Sequence, residues 1–239
     1  CIMIFFNKKR IVAISLLLLA VTLICLINPF VEPESKETVA LPVSNKVVVV
    51  DAGHGNPDGG AESKDGVSEA NINLKIALKL QSLLEQSGTT VILTRSDENG
   101  IYDLDKTTLK EKKISDIRNR VKIGNSSQAD IFVSIHLNKI PQEQYSGWQT
   151  FYKKDNEDGK RLATAIQNNI GTATKKENNR VPMKIDNVYI VKNVEIPLTI
   201  VECGFLSNAE EEKELQDNEY QDKIAWGIYN GIIEYFYES

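Results

Sequence analysis

The chain holds two histidines, and each closes an apolar run. His54 follows Val47-Val48-Val49-Val50 in VVVVDAGHG, and His136 follows Ile131-Phe132-Val133 in DIFVSIHLN. Such runs predict buried strands, and in an open α/β sheet ligands bind outside the carboxyl ends of the strands. Imidazole is the commonest protein ligand for divalent transition metals. Two imidazoles delivered to strand ends point to a metal site; the alternative is a pair of hydrogen-bonded structural histidines. Asp58, Glu62, Asp65 and Glu69 follow His54 closely and are the candidates for a third ligand. Glu69 stands in the first turn of a long helix, where its carboxylate either turns back toward the strand end or serves the helix dipole and cap. Two histidines and one carboxylate form a known catalytic zinc set, with one place left for water or substrate. Glu202 closes the run Pro197-Leu198-Thr199-Ile200-Val201 and precedes Cys203-Gly204-Phe205. A carboxylate at the end of a buried strand is costly unless paired or functional. It is either a general base for an activated water or a buried acid satisfied by an arginine or backbone N–H groups.

The elements that must carry these residues alternate between strand and helix. Strands are expected at 46–50, 89–94, 130–135, 148–152, 188–191 and 198–201. Helices are expected at 68–86, 109–126, 159–169 and 218–236, the first with Ser68 as N-cap and Gly88 just past its end. Residues 95–108 form a polar excursion. This alternation predicts one α/β domain: a twisted, mostly parallel mixed sheet of about six strands flanked by helices, preceded by an N-terminal hydrophobic helix. The short loops between Thr150 and Val201 predict some antiparallel pairing.

Composition narrows the function classes. Apolar residues make up 41% and charged residues 26% of the chain, which supports a packed core. The net charge of -5 argues against a nucleic-acid groove, which needs a basic face. Lys8, Lys9 and Arg10 precede a charge-free run from Ile11 to Ile27. At helical rise the run spans roughly 25 Å, the short end for a bilayer. Residues 1–28 are therefore expected to be an uncleaved membrane anchor, with a cleaved signal peptide as the rival reading. The basic flank on the near side leaves the rest of the chain exported. Residues 29–45, with Pro29, Pro33 and Pro42, form a polar linker, and 46–239 the catalytic domain. Of the three cysteines only Cys203 lies in that domain, which excludes an internal disulfide framework; Cys203 reads as a buried small hydrophobe.

Taken together, DAGHGNPDGGA (Asp51 to Ala61), Glu69 in SEANINL, LTR (Leu93 to Arg95), RVKIGN (Arg120 to Asn125), ADIFVSIHLN (Ala129 to Asn138) and VECGFLSN (Val201 to Asn208) occur in the order of a known family. From Lys46 to Phe236 the chain resembles the zinc-dependent N-acetylmuramoyl-L-alanine amidases of the amidase-3 family. The resemblance implies that His54, Glu69 and His136 bind zinc and that Glu202 is the catalytic glutamate. IHLNKIPQEQYSGWQTFY, NVYIVKNVEIP and YQDKIAWGIYNGIIEYF resemble the sporulation-associated type within that family. That type acts on spore-cortex peptidoglycan, stripping peptide from muramic acid so that muramic-δ-lactam can form. Three departures accompany the match: Asn56 where the family has glycine, Gly124 where alanine is common, and Cys203 for a more usual apolar residue.

Within this frame Asp51 either orients His54 through its second ring nitrogen or caps the turn after the first strand. Arg95 and Arg120 either meet substrate carboxylates or form buried ion pairs. Tyr145, Trp148 and Tyr152 are candidates for stacking on sugars, with Trp148 and Tyr152 also readable as core or groove wall. The competing functions are another cell-wall zinc peptidase and a wall-binding protein with a vestigial metal site. A further reading is an enzyme that stays weakly active until a partner protein orders its zinc site.

Overall fold

The computed structural model describes residues 7–27 and 40–238. Most of the expected linker lies outside the described residues, as do Cys1 and the Cys25 side chain. The chain divides into two units, 1–39 and 40–239. In the first, α1 spans Lys8–Ile27. Among the described residues no helix is long and apolar enough to cross a membrane, so the anchor rests on the sequence argument alone.

The second unit begins inside the expected linker. Val43 is fully buried, and Thr89 Oγ1 donates to its carbonyl, so this apolar residue joins the core. The sheet comprises β1 (Val47–Ala52), β2 (Thr90–Leu93), β3 (Ile131–Asn138), β4 (Gln149–Lys153), β5 (Met183–Ile185) and β6 (Leu198–Phe205). Their spatial order is β2-β1-β3-β6-β4-β5. All neighbours are parallel except β4 and β6. The mostly parallel mixed sheet of six strands is as the alternation predicted. Strand order reverses between β1 and β3, the point at which open α/β sheets bind ligands.

Helices α2 (Glu69–Gln86), α4 (Glu157–Thr174) and α7 (Asn218–Tyr237) meet one face of the sheet, and α3 (Leu109–Ser126) packs on the other with α5 (Tyr189–Asn193). α2 ends as its sequence predicted: Gly88, at φ +79°, donates to Glu85 O while Thr89 N–H reaches Leu84 O. Ser68 stands at the N-cap position, but its hydroxyl donates to Gly59 O instead of capping the helix. A Cβ on Gly124 would come within 3.0 Å of the Phe132 ring, so this departure from the family lets α3 lie close against β3.

Three differences from the expected elements matter. Residues 188–191 are no strand: Val188 is the N-cap of α5, and Ile190 and Val191 supply a short apolar plug against Phe132. A run of four apolar residues has no periodicity that tells strand from helix. β5 and α6 (Ala209–Gln216) escape a hydrophobic reading, because β5 is a three-residue edge and α6 is rich in acids. β3 and β6 also run further than expected, so His136 and Glu202 lie inside strands, paired with each other in register.

Candidate active site

Each site residue is fixed by a separate element. β1 ends at Ala52, and His54 follows in the left-handed conformation at φ +63°. His136 projects from β3 and Glu202 from the adjacent β6. Glu69 is the first residue of α2 and is buried. Its carboxylate lies between the two imidazoles, with Oε2 3.3 Å from His54 Nε2 and Oε1 2.9 Å from His136 Nδ1. Its oxygens also accept from Ala61 N–H and Leu137 N–H at 2.7 and 3.1 Å. Glu69 is thus neither a helix cap nor a dipole partner alone. The ligand atoms of His54, Glu69 and His136 all fall within 4.8 Å of one another. Of the other acids near His54, Asp58 binds the far side of the His54 ring and Glu62 and Asp65 lie outside the cluster.

The room for this cluster depends on two glycines. A Cβ on Gly53 would stand 2.3 Å from the His136 ring, and one on Gly60 would stand 2.5 Å from Glu69 Oε2. Gly60 further sits at φ +71°, open to glycine at no steric cost. The sequence carries both glycines within DAGHGNPDGGA, and their steric role emerges only when the rings are in place.

The two arginines hold the backbone around His54. Arg120 pairs with Asp51 at 2.6 Å and with Asp116, and donates to the carbonyls of Ala52 and His54. Arg95 donates to the carbonyls of Ala52, Gly53, Ala70 and Asp97. Both are buried; their bonds to Asp51 and to the carbonyls of Ala52, Gly53 and His54 hold the exit of β1, while Arg95 also reaches Ala70 at the start of α2. The buried-pair reading of Arg120 holds, and Arg95 serves backbone carbonyls. Asp51 does not orient His54: its carboxylate is taken by Arg120, Thr94 and Ser134. The hydrogen bond to His54 Nδ1 falls to Asp58, at 3.0 Å.

Charge follows from these contacts. Burial opposes ionisation of His54, but hydrogen bonds to Asp58 and Glu69 outweigh it and push the imidazole up to about 9. Burial would raise Glu69, yet the two histidines hold its carboxyl well below the usual range. Burial, with the Glu69 charge nearby, pushes Glu202 up to about 7. Glu202 Oε2 is buried with no hydrogen-bond partner. Cys203 points into the core, fully buried, and burial raises its thiol well above the ordinary value. It is the inert hydrophobe the sequence suggested.

The donor set suits zinc, with two imidazole nitrogens and one carboxylate, and Glu202, whose Oε2 is unpartnered, is paired in register with His136. Around it opens a cavity of about 340 Å³. Phe151, Ile185, Val188, Ile190 and Ile200 give it an apolar lining, to which Lys113 adds a cation. Phe151 and Lys113 escaped the sequence reading: the first is one residue of an expected strand, the second one of several lysines on an expected helix. Trp148 is core, its indole N–H donating to Gln167 O, whereas Tyr145 is exposed beside Arg180.

The family profile Amidase_3, N-acetylmuramoyl-L-alanine amidase, matches residues 48–234. The chain belongs to this amidase family. The amidase is 34% identical over 233 residues to the germination-specific N-acetylmuramoyl-L-alanine amidase of Bacillus subtilis (strain 168), a match covering 97% of this chain and 98% of the relative. Among solved structures it is similar to the CwlD amidase from Clostridioides difficile in complex with the GerS lipoprotein. There the identity is 46% and the TM-score 0.80, covering 82% of this chain and 100% of that one. The catalytic domain of CwlV from Bacillus (Paenibacillus) polymyxa var. colistinus aligns at 34% identity and TM-score 0.67, over 80% of this chain and 97% of that domain. The amidase is accordingly a peptidoglycan hydrolase of the cell-wall type.

Proposed function

We propose that the chain hydrolyses the amide between the lactyl group of N-acetylmuramic acid and L-alanine in spore-cortex peptidoglycan, a step toward muramic-δ-lactam and germination-competent spores. His54, Glu69 and His136 hold a catalytic zinc, and Glu202 is the acid–base group. The observation that carries this reading is the register of β3 against β6, which sets Glu202 beside His136 with a buried, unpartnered oxygen. The germination-specific relative and the CwlD structure support the cortex assignment.

Zinc bound there supplies Lewis acidity for the scissile carbonyl and brings the pKa of a water to roughly 7. Glu202 Oε2 takes the proton of the attacking water and passes it to the departing alanine nitrogen. Glu69, held anionic between two imidazoles, keeps both rings turned toward the same point. Arg95 and Arg120 fix the carbonyls on either side of Gly53, so the His54 turn is rigid before substrate arrives. The wall of Phe151, Val188 and Ile200 keeps bulk water from one side of the cleft.

The basic flank before Ile11 supports an exported domain anchored on, or released from, the outer face of the membrane, in the forespore or cortex compartment. A protein partner that orders the site fits the same picture, because a similar amidase occurs in complex with a lipoprotein. Elemental analysis together with turnover on denuded cortex peptidoglycan tests the reading. The wild type carries one zinc and is active, and His136→Ala loses most of the metal. Unchanged zinc in that variant removes His136 from the ligand set.

A further inference from the structure

Asp58 lies outside the ligand cluster, yet it is closely engaged with it. Its Oδ2 accepts from His54 Nδ1 at 3.0 Å, at the ring nitrogen turned away from Glu69. Its Oδ1 accepts from Gly60 N–H at 3.1 Å and pairs with Lys113 Nζ of α3 at 2.8 Å. The loop closes around this carboxylate, with Gly55 and Asp58 exchanging two backbone hydrogen bonds of 2.9 Å. His54 is held at φ +63°, a conformation uncommon outside glycine that persists only when its surroundings fix it.

A histidine that binds metal through one nitrogen usually donates its other N–H to a carboxylate, which fixes the tautomer and the ring orientation. We infer that Asp58 is the positioning residue for His54 as a zinc ligand, and that Lys113 clamps Asp58 from α3. Asp58 keeps the proton on Nδ1, which leaves the Nε2 lone pair facing Glu69 and His136. Lys113 and Gly60 N–H hold the second carboxylate oxygen, so the acid cannot rotate away from the ring. Metal affinity is thereby set in part by a lysine on a helix that contributes no ligand. This inference rests on the reading of His54, Glu69 and His136 as the zinc ligands.

Zinc affinity of the full chain, measured by competition with a chromophoric chelator, tests it. Asp58→Ala binds zinc about 10–100-fold more weakly. Asp58→Asn, which keeps an acceptor oxygen for Nδ1–H, recovers part of that loss. Lys113→Ala weakens binding several-fold in the wild-type background and has no further effect in Asp58→Ala. Cobalt(II) in place of zinc gives an altered ligand-field spectrum in Asp58→Ala. Wild-type affinity in Asp58→Ala overturns the inference, and so does an equal loss from Lys113→Ala in both backgrounds. Zinc binding that persists in His136→Ala overturns the ligand reading itself; binding that needs His136 but ignores Asp58 overturns only the positioning role.

Discussion

At the scale of single residues, the site concentrates charge in a small buried space. In the metal-free protein His54 titrates at about 9 and Glu202 at about 7, both above the ordinary values of 6.5 and 4.5. Both groups therefore bind protons more readily folded than unfolded. Their contribution is fully present below the unfolded pKa values and is lost as pH rises through the folded ones. The thermal midpoint of metal-free protein should fall as pH rises from about 4.5 to about 7 through Glu202 and on to about 9 through His54, and scanning calorimetry checks this. Zinc should reverse the trend, since it replaces the imidazole proton and stabilises the folded state by mass action. A second expectation concerns Arg120. Replacing it with methionine strands the Asp51 carboxylate, which is wholly buried, and breaking such a pair costs about 3–5 kcal/mol. Urea unfolding of Arg120→Met should show a loss of that order. His54, His136 and Glu202 were legible because each closes an apolar run, whereas Glu69 was legible from its place in the first turn of a helix and from the family resemblance. Asp58 was legible only as a possible ligand, because no spacing rule shows which side of an imidazole an acid will reach.

At the scale of elements, the long periodic segments were readable and the short ones were not. α2, α3 and α7 fall within a few residues of their apolar patterns. α6 was missed although its start is signalled by Asn208, whose side chain accepts from Glu210 N–H and Glu211 N–H. Its acids hide it: Glu211 is buried to receive Gly147 N–H and Phe205 N–H, and Glu212 to receive the Ser63 hydroxyl. A charged run therefore serves as the brace between the β6 exit and the loop bearing Gly60. The pairing of α4 with α7 rests on close approach. A Cβ on Gly231 would lie 2.5 Å from Ile166 Cα, and one on Gly227 2.6 Å from Ile170 Cα. Gly231→Val should force these helices apart at a cost of about 1–3 kcal/mol. Chemical denaturation reads that loss, with zinc affinity unchanged because, among the described residues, the hydrogen-bond and ion-pair partners of His54, Glu69, His136 and Asp58 all lie outside α4 and α7.

At the scale of the whole molecule, the sheet explains why scattered residues meet. Strand order reverses between β1 and β3, so His54 and His136 come from neighbouring strands separated by more than eighty positions in sequence. Glu202 joins them because β6 lies next to β3, a juxtaposition that apolar patterning cannot reveal. The α/β class and the parallel bias were legible from alternation alone; strand order and register were not, because they depend on long-range packing. The central claim is that this arrangement cleaves the muramic acid–alanine amide with Glu202 as its acid–base group. Mass analysis of muropeptides treated with the wild type and with Glu202→Gln tests it most directly, with zinc content measured on both. The account predicts that the wild type releases the entire peptide and leaves the lactyl carboxyl on the sugar. Glu202→Gln should keep its zinc and turn over about 10²–10⁴-fold more slowly. Peptide cut within the stem, or wild-type turnover in Glu202→Gln, would contradict it.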